Sequence, residues 1–336
     1  MTDSRHLIDH ILVPHTAFER AQKRLDQCFA YVEGGAAEPV CLAIIGESRT
    51  GKSRSIDAFR RKHPPSRLDD GIRCPVLHVV VPSKPTVKSL AELILRELGA
   101  SDWERGTETS KTIRLSHLMK ECGVIALVLD EFHHFYDKGS HRVQFMVSDW
   151  LKNLVGDTKV ALFVSGLPSL QFVIDQNEQL AGRFSAPIQM PRFDWHIDDH
   201  RSEWLAILGA FTECIKTKFD LPDLDEDGLA LRMYCATGGL MGYLTTTLRQ
   251  AVWNAVDTDA HAITLNDLRD AHATAIWSKE ALSHLPNPFD SKLQVYPTPE
   301  LIAQTKLLGT AKSNVPIKPR KVRTRGGETA SSFLSA

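Results

Sequence analysis

The stretch GESRTGKS at residues 46–53 spaces Gly46 and Gly51 five positions apart and follows them with Lys52 and Ser53. A chain that needs to hold a polyphosphate needs these residue types in this order. The glycines permit a tight loop whose backbone N–H groups point at the anion, and a helix starting just after the loop adds partial positive charge. Lys52 is placed to reach the outer phosphates, and the Ser53 hydroxyl to ligate Mg²⁺. The cradle therefore comprises Gly46, Glu47, Ser48, Arg49, Thr50, Gly51, Lys52, Ser53 and Arg54. The competing reading is a structural glycine turn, which the apolar run before the loop and the helical pattern after it disfavour.

Four further residues extend the chemistry from binding to hydrolysis. The run VIALVLDE ends in Asp130 and Glu131, at the carboxyl end of a strand where open α/β sheets collect ligands. Asp130 is expected to hold the Mg²⁺ shell together with Ser53, and Glu131 to polarise an attacking water. Ser165, at the end of KVALFVSG, is placed beside the outer phosphate; the plainer alternative is a Ser-Gly turn. Arg183 in QLAGRF offers a guanidinium fork for charge developing on a transferred phosphoryl group, supplied from a neighbouring subunit; its alternative is an ion pair on a solvated helix face. His133 and His134 follow the acidic pair without cysteines or carboxylates at metal-ligand spacing and read as turn residues.

These residues need a sheet to position them. Five apolar runs, at 39–46, 75–82, 124–131, 159–166 and 186–193, alternate with amphipathic stretches KSRSIDAFRRKH, TVKSLAELILRELG, RVQFMVSDWLKNLVG and SLQFVIDQNEQLAGRF. That alternation predicts an α/β fold with a five-stranded parallel sheet flanked by helices. From about residue 199 the pattern becomes helical throughout, which predicts a small all-helical lid. The expected organisation is an extension and helix at 1–38, a nucleotide-binding core at 39–198, the lid at 199–285, and a linker with a basic, flexible tail at 286–336. In that tail Lys306, Lys312, Lys318, Arg320, Lys321, Arg323 and Arg325 occur with no acid between Lys306 and Arg325. The tail serves solubility or contacts DNA or an acidic partner.

With 336 residues, 43% hydrophobic and 24% charged, the composition is that of a globular protein. A net charge of −1 gives no global basic field, so any nucleic-acid contact has to be local. The six cysteines lie scattered, without paired or zinc-like spacing, and read as reduced thiols in a cytoplasmic protein. No basic-then-apolar leader and no apolar run of membrane-spanning length stands out, so neither secretion nor a membrane is expected.

Taken in order, GESRTGKS, VIALVLDE, LFVSG and LAGRF followed by a helical region resemble an AAA+ P-loop ATPase: Walker A, Walker B, sensor 1, an arginine-finger region and a lid. The combination of VPSKPTVKSLAELILRELG, LVLDEFHHF, FVSGLPS, QLAGRF and ATGGLMGYL further resembles the TniB/TnsC regulators of transposition, over about residues 8–280. The resemblance implies ATP and Mg²⁺ as cofactors and a bacterial, cytoplasmic setting. It implies a homo-oligomer, ring or helical filament, assembled on duplex DNA. Such an assembly links a target selector such as a TniQ-like protein to a DDE transposase and is dismantled by hydrolysis, with Arg183 of one subunit facing Lys52, Asp130 and Glu131 of the next. The sequence departs from the AAA+ pattern where a sensor-2 arginine is expected. The GGLMGYL turn offers Leu240, Met241 and Tyr243, and Arg249 lies two turns later, so no residue is assigned that role.

For DNA, lysine and arginine on loops are the expected phosphate contacts. Lys84 in KPTVK and Lys111 and Arg114 in the polar insertion 105–114 are the candidates, against the alternative of a solvated charged surface. Two other functions share the motifs: a helicase-loader or initiator ATPase, and a signalling P-loop switch that leaves DNA alone. No NKxD guanine-reading motif is present.

Overall fold

The structure, a computed structural model, describes residues 4–69, 71–83, 85–137, 139–276, 286–293 and 295–309. Its strands are β1 (Cys41–Ile45), β2 (Ser66–Leu68), β3 (Gly71–Arg73), β4 (Val76–Val80), β5 (Ala126–Asp130), β6 (Ala161–Gly166) and β7 (Ile188–Gln189). Five of them form one parallel sheet in the order β4-β5-β6-β1-β7, and each arises from one of the five expected apolar runs. The exposed antiparallel pair β2–β3 was not legible, because three-residue strands with no buried face leave no alternation to read.

The helices are α1 (Leu7–His10), α2 (Thr16–Glu33), α3 (Lys52–Lys62), α4 (Val87–Glu97), α5 (Glu108–Glu121), α6 (His134–Asp137), α7 (His141–Thr158), α8 (Leu170–Ile174) and α9 (Glu178–Ala181). After the sheet come α10 (Asp198–Lys216), α11 (Asp227–Thr237), α12 (Met241–Asp257), α13 (Leu265–Ala275) and α14 (Pro299–Thr305). Strands buried on both faces still alternate. Cys41, Ala43, Ile45, Leu127 and Leu129 pack under α4, α5 and α7, whereas Leu42, Ile44, Ala126 and Val128 pack under α2 and α3. Covering both faces is what a parallel sheet requires. A separate core built on Trp204, Phe211, Tyr234 and Leu248 holds α10 to α13 together.

Three expectations are corrected. The stretch 169–184 is two short helices, because Asn177 turns its side chain back to accept from the Leu180 N–H and caps a new start. The insertion 105–114 is largely helix α5, capped by Thr107 and buried through Leu115 and Met119. The linker expected from 286 is instead packed over 286–293 and 295–309: Phe289, Ile302 and Leu308 are buried, and α14 lies against α11. Of the tail cations, Lys306 pairs with Asp194 at 2.6 Å, and those from Lys312 onward lie outside the described residues. Among the described residues no helix is long and apolar enough to cross a membrane.

Candidate functional site

The cradle forms where β1 turns into α3. Gly46 has to be glycine: a Cβ there would stand 2.4 Å from the Met190 carbonyl, which is fixed because the Met190 N–H donates to Ile45 in the sheet. Gly51 takes a φ of +98° as the N-cap of α3, a conformation glycine adopts without strain. Between them the Thr50 hydroxyl donates to the Glu47 carbonyl at 2.9 Å. Lys52 Nζ folds back onto the loop, donating to the carbonyls of Gly46 (2.9 Å) and Glu47 (2.6 Å). Burial lowers the Lys52 pKa, opposed by the nearby charges of Glu131, Asp130 and Glu47. An ammonium held only by carbonyls in a cavity is poised for an anion to replace them.

Asp130, at the end of β5, draws the second strand end in. Its Oδ2 accepts from the Ser53 hydroxyl at 3.0 Å, and its Oδ1 accepts from the Glu131 N–H at 2.9 Å and from the Ser165 hydroxyl. Glu131 adopts φ +57°, left-handed for a residue with a side chain, and remains 39% exposed at the cavity edge. Such strain is stored at functional sites. His133 is buried with Nε2 3.4 Å from Glu131 Oε2, and burial lowers its pKa, opposed by the Glu131 charge. His134 places Nδ1 2.9 Å from the Val81 carbonyl. Glu131, His133 and His134 bring one ligand atom each within 4.8 Å of one another, closer than their reading as turn residues suggested.

Lys52, Ser53, Arg54 and Glu131 face a cavity of about 350 Å³. Its far wall comes from the N-terminal lead-in, including Ile8, Ile11, Val13 and Phe18, and from α12. Arg54 holds that lead-in by donating to the carbonyls of Asp9 (2.8 Å) and Ile11 (3.3 Å). Arg249 lies on the same wall and meets Asp9 Oδ1 through Nε (2.9 Å) and Nη2 (2.7 Å). Two helical turns beyond Gly242 therefore still face the loop.

Other candidates lie apart from the cavity. Arg183 does not line it; its Nη1 donates to the Lys152 carbonyl of α7 at 2.7 Å. Lys111 is 0% exposed, with Nζ on the carbonyls of Trp103 (2.8 Å) and Arg105 (3.0 Å) and 3.3 Å from Glu92, so it braces a turn and presents no charge to a phosphate. Arg114 Nη2 donates to the Asp102 carbonyl of the same turn at 2.7 Å. Lys84 lies outside the described residues.

Two contacts went unread in the sequence. Arg192 pairs with Glu47 of the loop at 2.6 Å, and Arg49, at φ +69°, lays its guanidinium 4.6 Å from the Tyr243 ring centre on α12. No local spacing links positions 145 apart. The glycines of ATGGLMGYL were a usable signal: a Cβ on Gly242 would stand 2.7 Å from Arg49 Cβ, so the motif marks where lid and loop touch.

A family model described as "Bacterial TniB protein" matches residues 5–195. Among curated proteins nothing matches the sequence. Among solved structures the chain is similar to the Aeropyrum pernix ORC2 protein in its ADPNP-ADP complexes, with 14% identity, 84% of this chain and 75% of that one covered, and a TM-score of 0.57. Cdc6p from Pyrobaculum aerophilum gives 14% identity, 83% and 74% coverage and a TM-score of 0.59. The Aeropyrum pernix ORC1 protein in complex with DNA gives 16%, 81% and 70%, with a TM-score of 0.55. At these identities the similarity is one of fold: a parallel sheet between helices with a helical region after it.

Proposed function

The chain belongs to the TniB family, and on that premise we propose that it is an ATP-hydrolysing regulator of DNA transposition. It assembles on duplex DNA, links a target selector of the TniQ type to a DDE transposase, and comes apart on hydrolysis. The observation that carries the catalytic part is that Lys52, Ser53 and Glu131 line one cavity while Asp130, just behind it, bonds both Ser53 and Ser165.

The residues fit both implied groups. A cavity of about 350 Å³ is within the range for small-ligand sites, and the loop amides and Lys52 suit a triphosphate. The Ser53 hydroxyl and the Asp130 carboxylate are the oxygen donors that Mg²⁺ takes. When bound, the ion neutralises charge on the outer phosphates. Lys52 exchanges its two carbonyl partners for phosphate oxygens. Ser165 keeps Asp130 oriented, and Glu131 accepts the proton of the attacking water. Arg183 acts on a neighbour's site, which ties hydrolysis to assembly. Phosphate contacts to DNA are assigned to the stretch 84–88, beginning with Lys84; Arg114 is a secondary candidate, and burial removes Lys111 from that role.

The structural similarity to ORC and Cdc6 proteins favours one second reading, an initiator-type or helicase-loading ATPase. Sedimentation of the wild type and of Lys52→Ala, with ATP, ADP or a nonhydrolysable analogue and with or without duplex DNA, tests the proposal. Large assemblies that need wild-type protein, triphosphate and DNA together support it. Nucleotide binding without DNA-dependent assembly would overturn it in favour of a switch that leaves DNA alone. Stimulation of turnover by transposase, rather than by a replicative helicase, separates the regulator from the loader.

A further inference from the structure

Arg192 lies just past the last strand of the sheet, and its side chain is 7% exposed. Its guanidinium is shared among three parts of the molecule. Nε and Nη2 donate to Glu47 Oε2 in the phosphate loop, at 3.1 and 2.6 Å. Nη1 donates to the Gly238 carbonyl at the end of α11, at 3.0 Å, and Nη2 to the Leu308 carbonyl just past α14, at 2.8 Å. Glu47 in turn gives its own carbonyl to Lys52 Nζ. An unbroken series of polar contacts thus runs from Leu308 through Arg192 and Glu47 to Lys52.

A second connection runs beside it. Leu308 packs in one buried cluster with Leu240, Tyr243 and Ile276, and a Cβ on Gly309 would stand 2.9 Å from Leu240 and 3.3 Å from Tyr243. Tyr243 carries the Arg49 guanidinium on its ring, and the Gly242 N–H donates to the Arg49 carbonyl at 2.9 Å. Two residues of the phosphate loop, Glu47 and Arg49, are therefore held by groups that rest on the segment 305–309. The packing allows no slack at the crossing point: Gly238 has φ +63°, and a Cβ there would stand 2.9 Å from both Arg192 Nη1 and the Thr305 carbonyl. A planar guanidinium serves its acceptors in fixed directions, so lifting residues 299–309 leaves buried donors and acceptors unmet unless Arg192 and Glu47 move as well.

We propose that Arg192 is a positioning residue for the phosphate loop and that the segment 299–309 acts through it as a clamp on bound nucleotide. With the segment seated, the Arg192–Glu47 pair holds the loop closed on its phosphates; with it lifted, the loop loosens and nucleotide leaves. This rests on the ATPase reading of the same site and adds its control from the far end of the described chain.

The test uses the full chain in five forms: wild type, Arg192→Met, Arg192→Lys, Leu308→Ala, and Arg192→Met with Leu308→Ala. Release of a fluorescent N-methylanthraniloyl ATP analogue is followed by stopped flow, and amide hydrogen exchange of residues 46–52 is measured without nucleotide. Losing a charge-assisted contact of this kind is expected to speed release about tenfold in Arg192→Met. Arg192→Lys recovers part of that loss, and the double variant releases no faster than Arg192→Met, because the Leu308 side chain seats the segment and the segment acts on the loop through Arg192. Exchange in 46–52 rises in Arg192→Met and in Leu308→Ala. Release within about twofold of wild type in Arg192→Met, or single effects that multiply in the double variant, would overturn the proposal. Should Arg192→Met fail to fold, Arg192→Lys and Leu308→Ala decide by the same two readouts. A wild type that binds no nucleotide sinks the ATPase reading and with it the clamp on nucleotide, whereas the exchange experiment still accepts or rejects the hold of Arg192 and the segment on the loop.

Discussion

Ser53 and Asp130 stand 77 positions apart in the chain, yet the Ser53 hydroxyl donates to Asp130 Oδ2 across 3.0 Å. The bond closes the gap between the strand end that carries the phosphate loop and the strand end that carries the acidic pair. Asp130→Asn keeps an acceptor for the Glu131 N–H and removes the charge that Mg²⁺ needs. Turnover measured by phosphate release at saturating Mg²⁺ is expected to fall by about two orders of magnitude, with the melting temperature nearly unchanged. Full activity in that variant would show that Asp130 is a strand-end residue and nothing more.

Asp9 and Arg249 make the second test. Burial alone raises the Asp9 pKa, but the hydrogen bond and charge of Arg249, with smaller contributions from His6, bring it below the ordinary value of 3.8. A carboxyl depressed by folding stabilises the protein above its unfolded pKa and loses that contribution as pH falls through the folded value. Both side chains are partly exposed, so the contribution is at most about 1 kcal/mol. Asp9→Asn should therefore melt slightly below wild type at pH 7 and converge with it toward pH 3. The same variant frees Arg249 toward the cavity, so triphosphate affinity should tighten severalfold, and Arg249→Gln should weaken it. Equal affinities in all three would remove Arg249 from the binding site.

Buried histidines set a wider pH dependence. Burial lowers the pKa of His15, His78, His133 and His272 below 6.5. As pH drops through 6.5 the unfolded chain takes up protons that the folded chain refuses, so stability is full above that value and declines below it. Melting temperature should be flat above pH 7 and fall between about pH 6.5 and 5. His272→Gln, at a site remote from the phosphate loop, should make the decline shallower. An unchanged slope would mean that His272 titrates alike in both states.

Lys111→Met separates bracing from DNA contact. Removing the ammonium leaves Glu92 unpaired and the Trp103 and Arg105 carbonyls without their donor. Loss of about 2–3 kcal/mol in denaturant unfolding is expected. The slope of log DNA affinity against log salt should not change, since a buried cation neutralises no phosphate. A shallower slope would return Lys111 to the DNA surface.

Much of this protein was legible along the chain because its signals are local. The phosphate loop, the acidic pair after β5 and the five buried runs each lie within a dozen residues, and a parallel sheet announces itself by alternating apolar runs with helices. The sequence by itself thus determined the sheet and the membership of the TniB family, and it marked the glycines that shape the loop. Only the tertiary structure decided which distant groups complete the site. Arg249 reaches the cavity because α12 packs its face toward the lead-in, and Arg192 meets Glu47 because the chain crosses from sheet to lid directly over the loop. Lys111 looked like a solvated cation in a polar stretch until Thr107 capped a helix that turned it inward. The run from 286 read as linker because its few apolar residues carry no period, and Phe289, Ile302 and Leu308 become core through what they pack against. Local physics selects elements and backbone chemistry; burial and long-range pairing belong to the folded whole.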